Sequence, residues 1–75
     1  MFKKQSLLLQ NKFEERLALF TVNQYHPLLN NHALQGEWAG CRSINITGDI
    51  RAIFEEITNN NIEFVAFGSH SELYS

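Results

Sequence analysis

His32, Asp49, His70 and Tyr74, with Arg42 and Arg51 between them, are the residues of this chain whose types suit chemistry at a phosphate or a proton. A histidine titrates near neutrality and serves there as acid or base. His70 stands two residues after Gly68, next to Ser69 and near the end of an apolar run; as a plain surface residue it would simply follow a turn. His32 carries the same two readings. Arg42 and Arg51 have forked guanidinium groups that grip phosphate; salt bridges to Glu37, Glu55 or Glu56 are the plain alternative. Asp49 follows Gly48, where aspartate is favoured by turn chemistry whatever its function. Tyr74 could stack on a nucleic-acid base or anchor the chain end. His26 precedes Pro27 and reads as an ordinary loop residue. Cys41 is a small strand residue with no assigned chemistry, and Trp38 reads as core. The histidines at 26, 32 and 70 match no zinc spacing with a companion cysteine, so no metal and no cofactor is expected.

Composition narrows what can hold these residues in place. Seventy-five residues make one domain, 1–75, with a thin core. Hydrophobic residues are 44% and charged residues 19%, ordinary values for a folded chain. Six phenylalanines supply much of the core volume that so short a chain needs. One cysteine excludes an internal disulfide. The net charge of -2 and the pI near 5.8 run against a general nucleic-acid-binding surface, which is usually basic. A local positive site at Arg42 and Arg51 remains compatible with that balance. The opening MFKKQSLLLQ holds an apolar run too short for a secretory signal. No segment is long enough to span a membrane, and the expected location is the cytoplasm.

The positioning elements follow from periodicity. From about Gln5 to Phe20, Leu9, Phe13, Leu17 and Phe20 recur on one helical face, with Ser6 as a candidate cap and Asn11 as a possible start of a second short helix. Helical patterning fades at Thr21–Asn23, and His26-Pro27 demands extended backbone. Asn30-Asn31-His32 reads as a turn. From Trp38 to Thr47 the period is two: Trp38, Arg42, Ile44 and Ile46 share one face, and Cys41, Ser43 and Asn45 the other. Gly48-Asp49 turns the chain into a second strand, Ile50–Ile57. Thr58–Asn61 is a hairpin turn, and Ile62–Phe67 is a third strand, apolar enough to be central and ended by Gly68. SHSELYS is a polar tail. The predicted class is α+β: an N-terminal helix or helical hairpin packed on a three-stranded antiparallel meander.

Three boxes then become specific. Asn31–Arg42, NHALQGEWAGCR, resembles the H-x-L-x-G-x-W/Y-x-G-x-R box of the YafQ-like branch of the RelE/ParE toxin superfamily. Ser43–Phe54 resembles that branch's G-D-x-R hairpin, and Phe67–Tyr74 its terminal G-T-H box. Together they cover roughly Pro27 to Tyr74 in the right order.

The resemblance implies a RelE-like fold and the toxin of a type II toxin–antitoxin module. The toxin would be a metal-independent endoribonuclease cutting messenger RNA at the ribosome and neutralised by a cognate antitoxin protein. It implies catalytic roles for His32, Asp49, His70 and Tyr74, and phosphate binding for Arg51; phosphate binding by Arg42 is expected from its guanidinium alone. Two positions depart from the branch: Asn45 where a histidine is often found, and Ala66 where an arginine often precedes the terminal box. The resemblance places Phe2-Lys3-Lys4 at the end of the family's first strand, so a fold shortened by that strand is expected. Such a sheet would keep an open edge and self-associate as a homodimer. The alternative expectation is a homologue that has lost turnover and acts by binding an antitoxin or itself.

Overall fold

The computed structural model describes residues 7–58 and 61–74. Helix α1, Leu7–Val22, leads through a 3-10 turn, Pro27–Leu29, to the short strand β1, His32–Ala33. A second 3-10 turn, Gly36–Trp38, precedes β2, Cys41–Asn45. β3, Ile50–Thr58, and β4, Asn61–Ser69, complete an antiparallel sheet in the order β1-β2-β3-β4. A five-residue helix α2, His70–Tyr74, closes the described chain. Among the described residues no helix is long and apolar enough to cross a membrane.

The α+β class and the antiparallel meander of β2, β3 and β4 stand as the periodicity predicted. A fourth strand is added where a turn was read. Asn30 takes the left-handed conformation, φ 47°, and delivers His32 and Ala33 into register with Ser43 and Arg42. Two residues are too few to show alternation. Gln5 and Ser6, the expected helix start and cap, lie outside the described residues, as do Phe2-Lys3-Lys4 and the hairpin's Asn59 and Asn60. From Leu7 onward the helical region is one helix, not a hairpin of two.

α1 lays Leu9, Phe13, Leu19 and Phe20 on a core of Leu29, Ile44, Ile46, Ala52 and Phe54, all fully buried. Leu17, expected on that face, is half-buried there and borders a groove with Phe20 and Ile62. Five phenylalanines interlock. Phe20 stands edge-on to Phe54 at 5.1 Å, Phe64 lies 5.7 Å from Phe54, and Phe13 meets Phe67 at 4.8 Å and Phe64 at 6.3 Å. Phe64 and Phe67 would face opposite sides of a regular strand. The register passes from Ile53–Ala66 to Phe54–Phe64, leaving Val65 as a bulge residue. One extra residue resets the alternation and turns both rings to the helix.

Three sequence expectations need correction. β4 was read as central; among the described strands it is the edge, with Phe64 and Val65 37% and 44% exposed. β4 continues through Gly68, which pairs with Arg51. The tail from His70 is helical because it carries its own cap. Glu72 N–H donates to Ser69 Oγ at 3.2 Å and Ser69 N–H donates to Glu72 Oε1 at 2.8 Å. This reciprocal S-x-x-E box satisfies two otherwise orphaned donors. It was legible in the sequence and was missed there.

Candidate active site

The sheet has two faces, and the register decides which residues meet. Residues directly opposite one another in an antiparallel ladder share a face. Ile44 pairs with Ala52 and Arg42 with Phe54, so Arg42 belongs to the α1 side. Its Nε donates to Asn31 Oδ1 at 2.7 Å, and its guanidinium lies 5.8 Å from the centre of the Tyr25 ring. Arg42 is therefore separated from the other candidates and engaged in fixing the Gln24–Asn31 loop, where Asn31 also donates to Gln24 O at 3.1 Å.

The opposite face gathers the rest. His32 pairs with Ser43, Ser43 with Ile53, and Asn45 with Arg51. The Tyr74 hydroxyl donates to Ser43 Oγ at 3.2 Å, bringing α2 onto this face. The His70 ring stands edge-on to the Tyr74 ring at 4.7 Å. His70 is placed by its backbone: its N–H donates to Asp49 O at 3.0 Å. It is thus the carbonyl of Asp49 that positions His70. The Asp49 carboxylate is exposed and makes no described bond.

Arg51 is anchored rather than loose. Its Nη1 reaches Thr47 O and Gly48 O at 3.1 Å and Ile50 O at 3.3 Å. A guanidinium has five N–H donors, and no described bond uses Nη2 or Nε. One end of the fork is fixed on the hairpin while the other keeps donors for an anion. Thr47 builds the turn that supplies those carbonyls: its Oγ1 accepts from Ile50 N at 3.0 Å and Asp49 N at 3.3 Å.

His32 Nδ1 lies 2.7 Å from Asn30 O. A carbonyl only accepts, so Nδ1 carries the proton and the neutral ring presents Nε2 as an acceptor. His26, by contrast, uses Nδ1 to accept from Leu28 N–H at 3.1 Å, capping the Pro27–Leu29 turn; it is the ordinary loop residue expected. Glu72 is held below its usual carboxylate range of about 4.5, first by the Ser69 backbone N–H and then by the Ser69 hydroxyl. Among the described residues no three of His, Cys, Asp and Glu gather as metal ligands.

Two residues of the site have roles that the sequence did not signal. Ser43 was merely a strand position, yet it is the buried partner of Tyr74. Trp38, expected on a strand face with Arg42, sits in the 3-10 turn instead. Gly36 and Gly40 on either side of it have φ of 68° and 93°, a conformation that interrupts strand alternation. Its Nε1–H donates to Leu73 O at 3.0 Å.

Comparison with known proteins follows the same residues. Residues 2–75 match the family described as "Bacterial toxin of type II toxin-antitoxin system, YafQ". Among solved structures, YafQ of E. coli strain BL21(DE3) is similar with a TM-score of 0.72 at 24% identity, over 87% of this chain and 73% of that one. The E. coli DinJ-YafQ toxin–antitoxin complex gives a TM-score of 0.68 at 27% identity, over 87% and 72%. The YoeB/ParE toxin of Agrobacterium tumefaciens gives 0.68 at 17% identity, over 92% and 82%, a likeness of fold alone. No match was found among curated proteins.

Proposed function

The chain belongs to the YafQ family of bacterial type II toxins, and on that premise we propose that it is a metal-independent endoribonuclease acting on messenger RNA at the ribosome. The observation that carries the reading is the sharing of one sheet face by His32, Ser43, Arg51 and Tyr74, with His70 against Tyr74.

The chemistry these residues suit is transesterification. The ribose 2′-oxygen attacks the adjacent phosphorus as a base takes its proton. The bond from phosphorus to the 5′-oxygen breaks, and an acid protonates that oxygen. The products are a 2′,3′-cyclic phosphate and a 5′-hydroxyl, with no redox change. His32, with Nε2 free to accept, suits the base, and His70 the acid. The free donors of Arg51 suit the charge that builds on the phosphate. Tyr74 offers a ring for a neighbouring nucleotide. Asp49 serves through its carbonyl, as the support of His70. Arg42 serves the loop instead.

The E. coli YafQ structure in complex with DinJ is described as a toxin–antitoxin complex, and by that likeness this chain is proposed to bind a cognate antitoxin. A second reading, binding without turnover, draws on one observation. Both departures from the branch fall on the site face: Asn45 opposite Arg51, and Ala66 opposite Ile53.

The experiment is cleavage of a ribosome-bound message, in the Mg²⁺ that the ribosome needs, by the purified chain stripped of metal with EDTA and then desalted, beside His70→Ala. Expected is cleavage undiminished by the EDTA treatment of the chain and lower by roughly 10²-fold or more in the variant. No cleavage above the His70→Ala level would leave the binding reading.

A further inference from the structure

α2 carries His70 and Tyr74 but has only five residues, none of them buried. A helix this short has no stability of its own, so contacts from outside set its place. Its first turn is held by the Ser69–Glu72 box and by the bond from His70 N–H to Asp49 O. Its last turn has carbonyls with no donor in the helix. One of these is Leu73 O, and the donor it finds is the indole of Trp38, 35 residues earlier in the chain, at 3.0 Å.

Trp38 is itself fixed. The glycines at 36 and 40 bracket its turn with positive φ, and the Ala39 N–H closes the turn on Gly36 O at 3.1 Å. Trp38 and Leu73 border one cleft, with Gln35, Glu37 and Tyr74. Tyr74, next in sequence to the held carbonyl, reaches Ser43.

We infer that Trp38 is a positioning residue of the site: its indole N–H holds the end of α2 and so sets where the Tyr74 phenol stands over the Ser43 face and, through the ring contact with Tyr74, where the His70 ring lies. The contribution to catalysis rests on the nuclease reading above; the placement does not. A residue that served by packing alone would tolerate phenylalanine, which keeps an aromatic ring and lacks the N–H.

The test has two arms. In Trp38→Phe, kcat for message cleavage is expected to fall roughly tenfold with KM changed less than about twofold, because the acid and the phenol are displaced while Arg51 is untouched. An unchanged kcat overturns the inference, and so does a loss confined to KM. The second arm needs no variant. Trp38 is the chain's one tryptophan, so its indole N–H gives a single NMR resonance. Hydrogen exchange about tenfold or more slower than for free indole is expected; exchange at the free rate overturns the placement. If Trp38→Phe fails to fold, this resonance decides. If the unaltered chain cleaves nothing, the nuclease reading falls and the resonance still decides where α2 is held.

Discussion

The phenol of Tyr74 donates to the hydroxyl of Ser43 at 3.2 Å, tying the end of α2 to the middle of β2. Ser43 is completely buried, the one buried polar residue among those described. Removing the phenol strands that hydroxyl, whereas removing both groups leaves nothing unpaired.

Tyr74→Phe is therefore expected to destabilise the fold by about 1–2 kcal/mol. Ser43→Ala/Tyr74→Phe should be less destabilised than Tyr74→Phe alone. Urea unfolding of the three proteins measures this, and equal stability of the single and double variants would contradict it.

Arg51 spans three backbone carbonyls with Nη1 and keeps its other donors. Lysine has a point charge and no planar fork. Arg51→Lys is expected to lose roughly tenfold or more in single-turnover cleavage, close to the loss in Arg51→Ala. Wild-type rates in Arg51→Lys would show that charge alone suffices.

Glu72 is depressed by its bonds to Ser69. A carboxylate with a lowered folded-state pKa contributes its stabilisation fully above its unfolded value, and loses it as pH falls through the folded value. The cap of α2 is expected to hold at neutral pH and to loosen below about 4.5. Protection of the Ser69 and Glu72 amides relative to the intrinsic exchange rate at each pH reads this. Glu72→Gln should abolish the pH dependence of that protection in this window; a loss of protection that survives in the variant belongs to another group.

Gly68 lies beneath the same cap. A Cβ there would meet Glu72 Oε1 at 3.1 Å, and that oxygen is committed to Ser69 N–H. Gly68→Ala is expected to speed amide exchange at Ser69 at neutral pH while the β2–β3 ladder keeps its protection. Unaltered exchange at Ser69 would show that the carboxylate yields without breaking its bond.

β4 leaves one edge of the described sheet unpaired, beside the exposed Phe64 and Val65. Pairing of two copies along this edge is expected to give twice the 8.7 kDa chain mass at micromolar concentration. Val65→Lys, a charge on an edge strand, should shift the mass toward the monomer. Light scattering during size-exclusion chromatography decides: a wild-type monomer mass rejects the pairing.

Periodicity by itself determined the helix ending near Phe20 and the meander built on Ile44, Ile46, Ile53 and Phe54. Both patterns are local, and the hydrophobic effect enforces them wherever the partner lies. The three boxes placed the chain among the toxins and pointed to His32, Arg51, His70 and Tyr74. Which of these meet was a different matter. Arg42 and Arg51 look equivalent in sequence, but strand alternation gives parity within a strand only. Parity between strands depends on register, and here the turn from Ile46 to Asp49 sets Asn45 opposite Arg51. That sends Arg51 to the face of Tyr74 and leaves Arg42 with α1. The bulge at Val65 likewise turned Phe64 and Phe67 to one side, and positive φ at Gly36 and Gly40 drew Trp38 out of its expected strand toward Leu73. The register and the bulge are defined only by the paired strand, and the Trp38 bond joins residues 35 apart in the chain. Their energy exists only once the sheet has closed, so tertiary structure alone decided them.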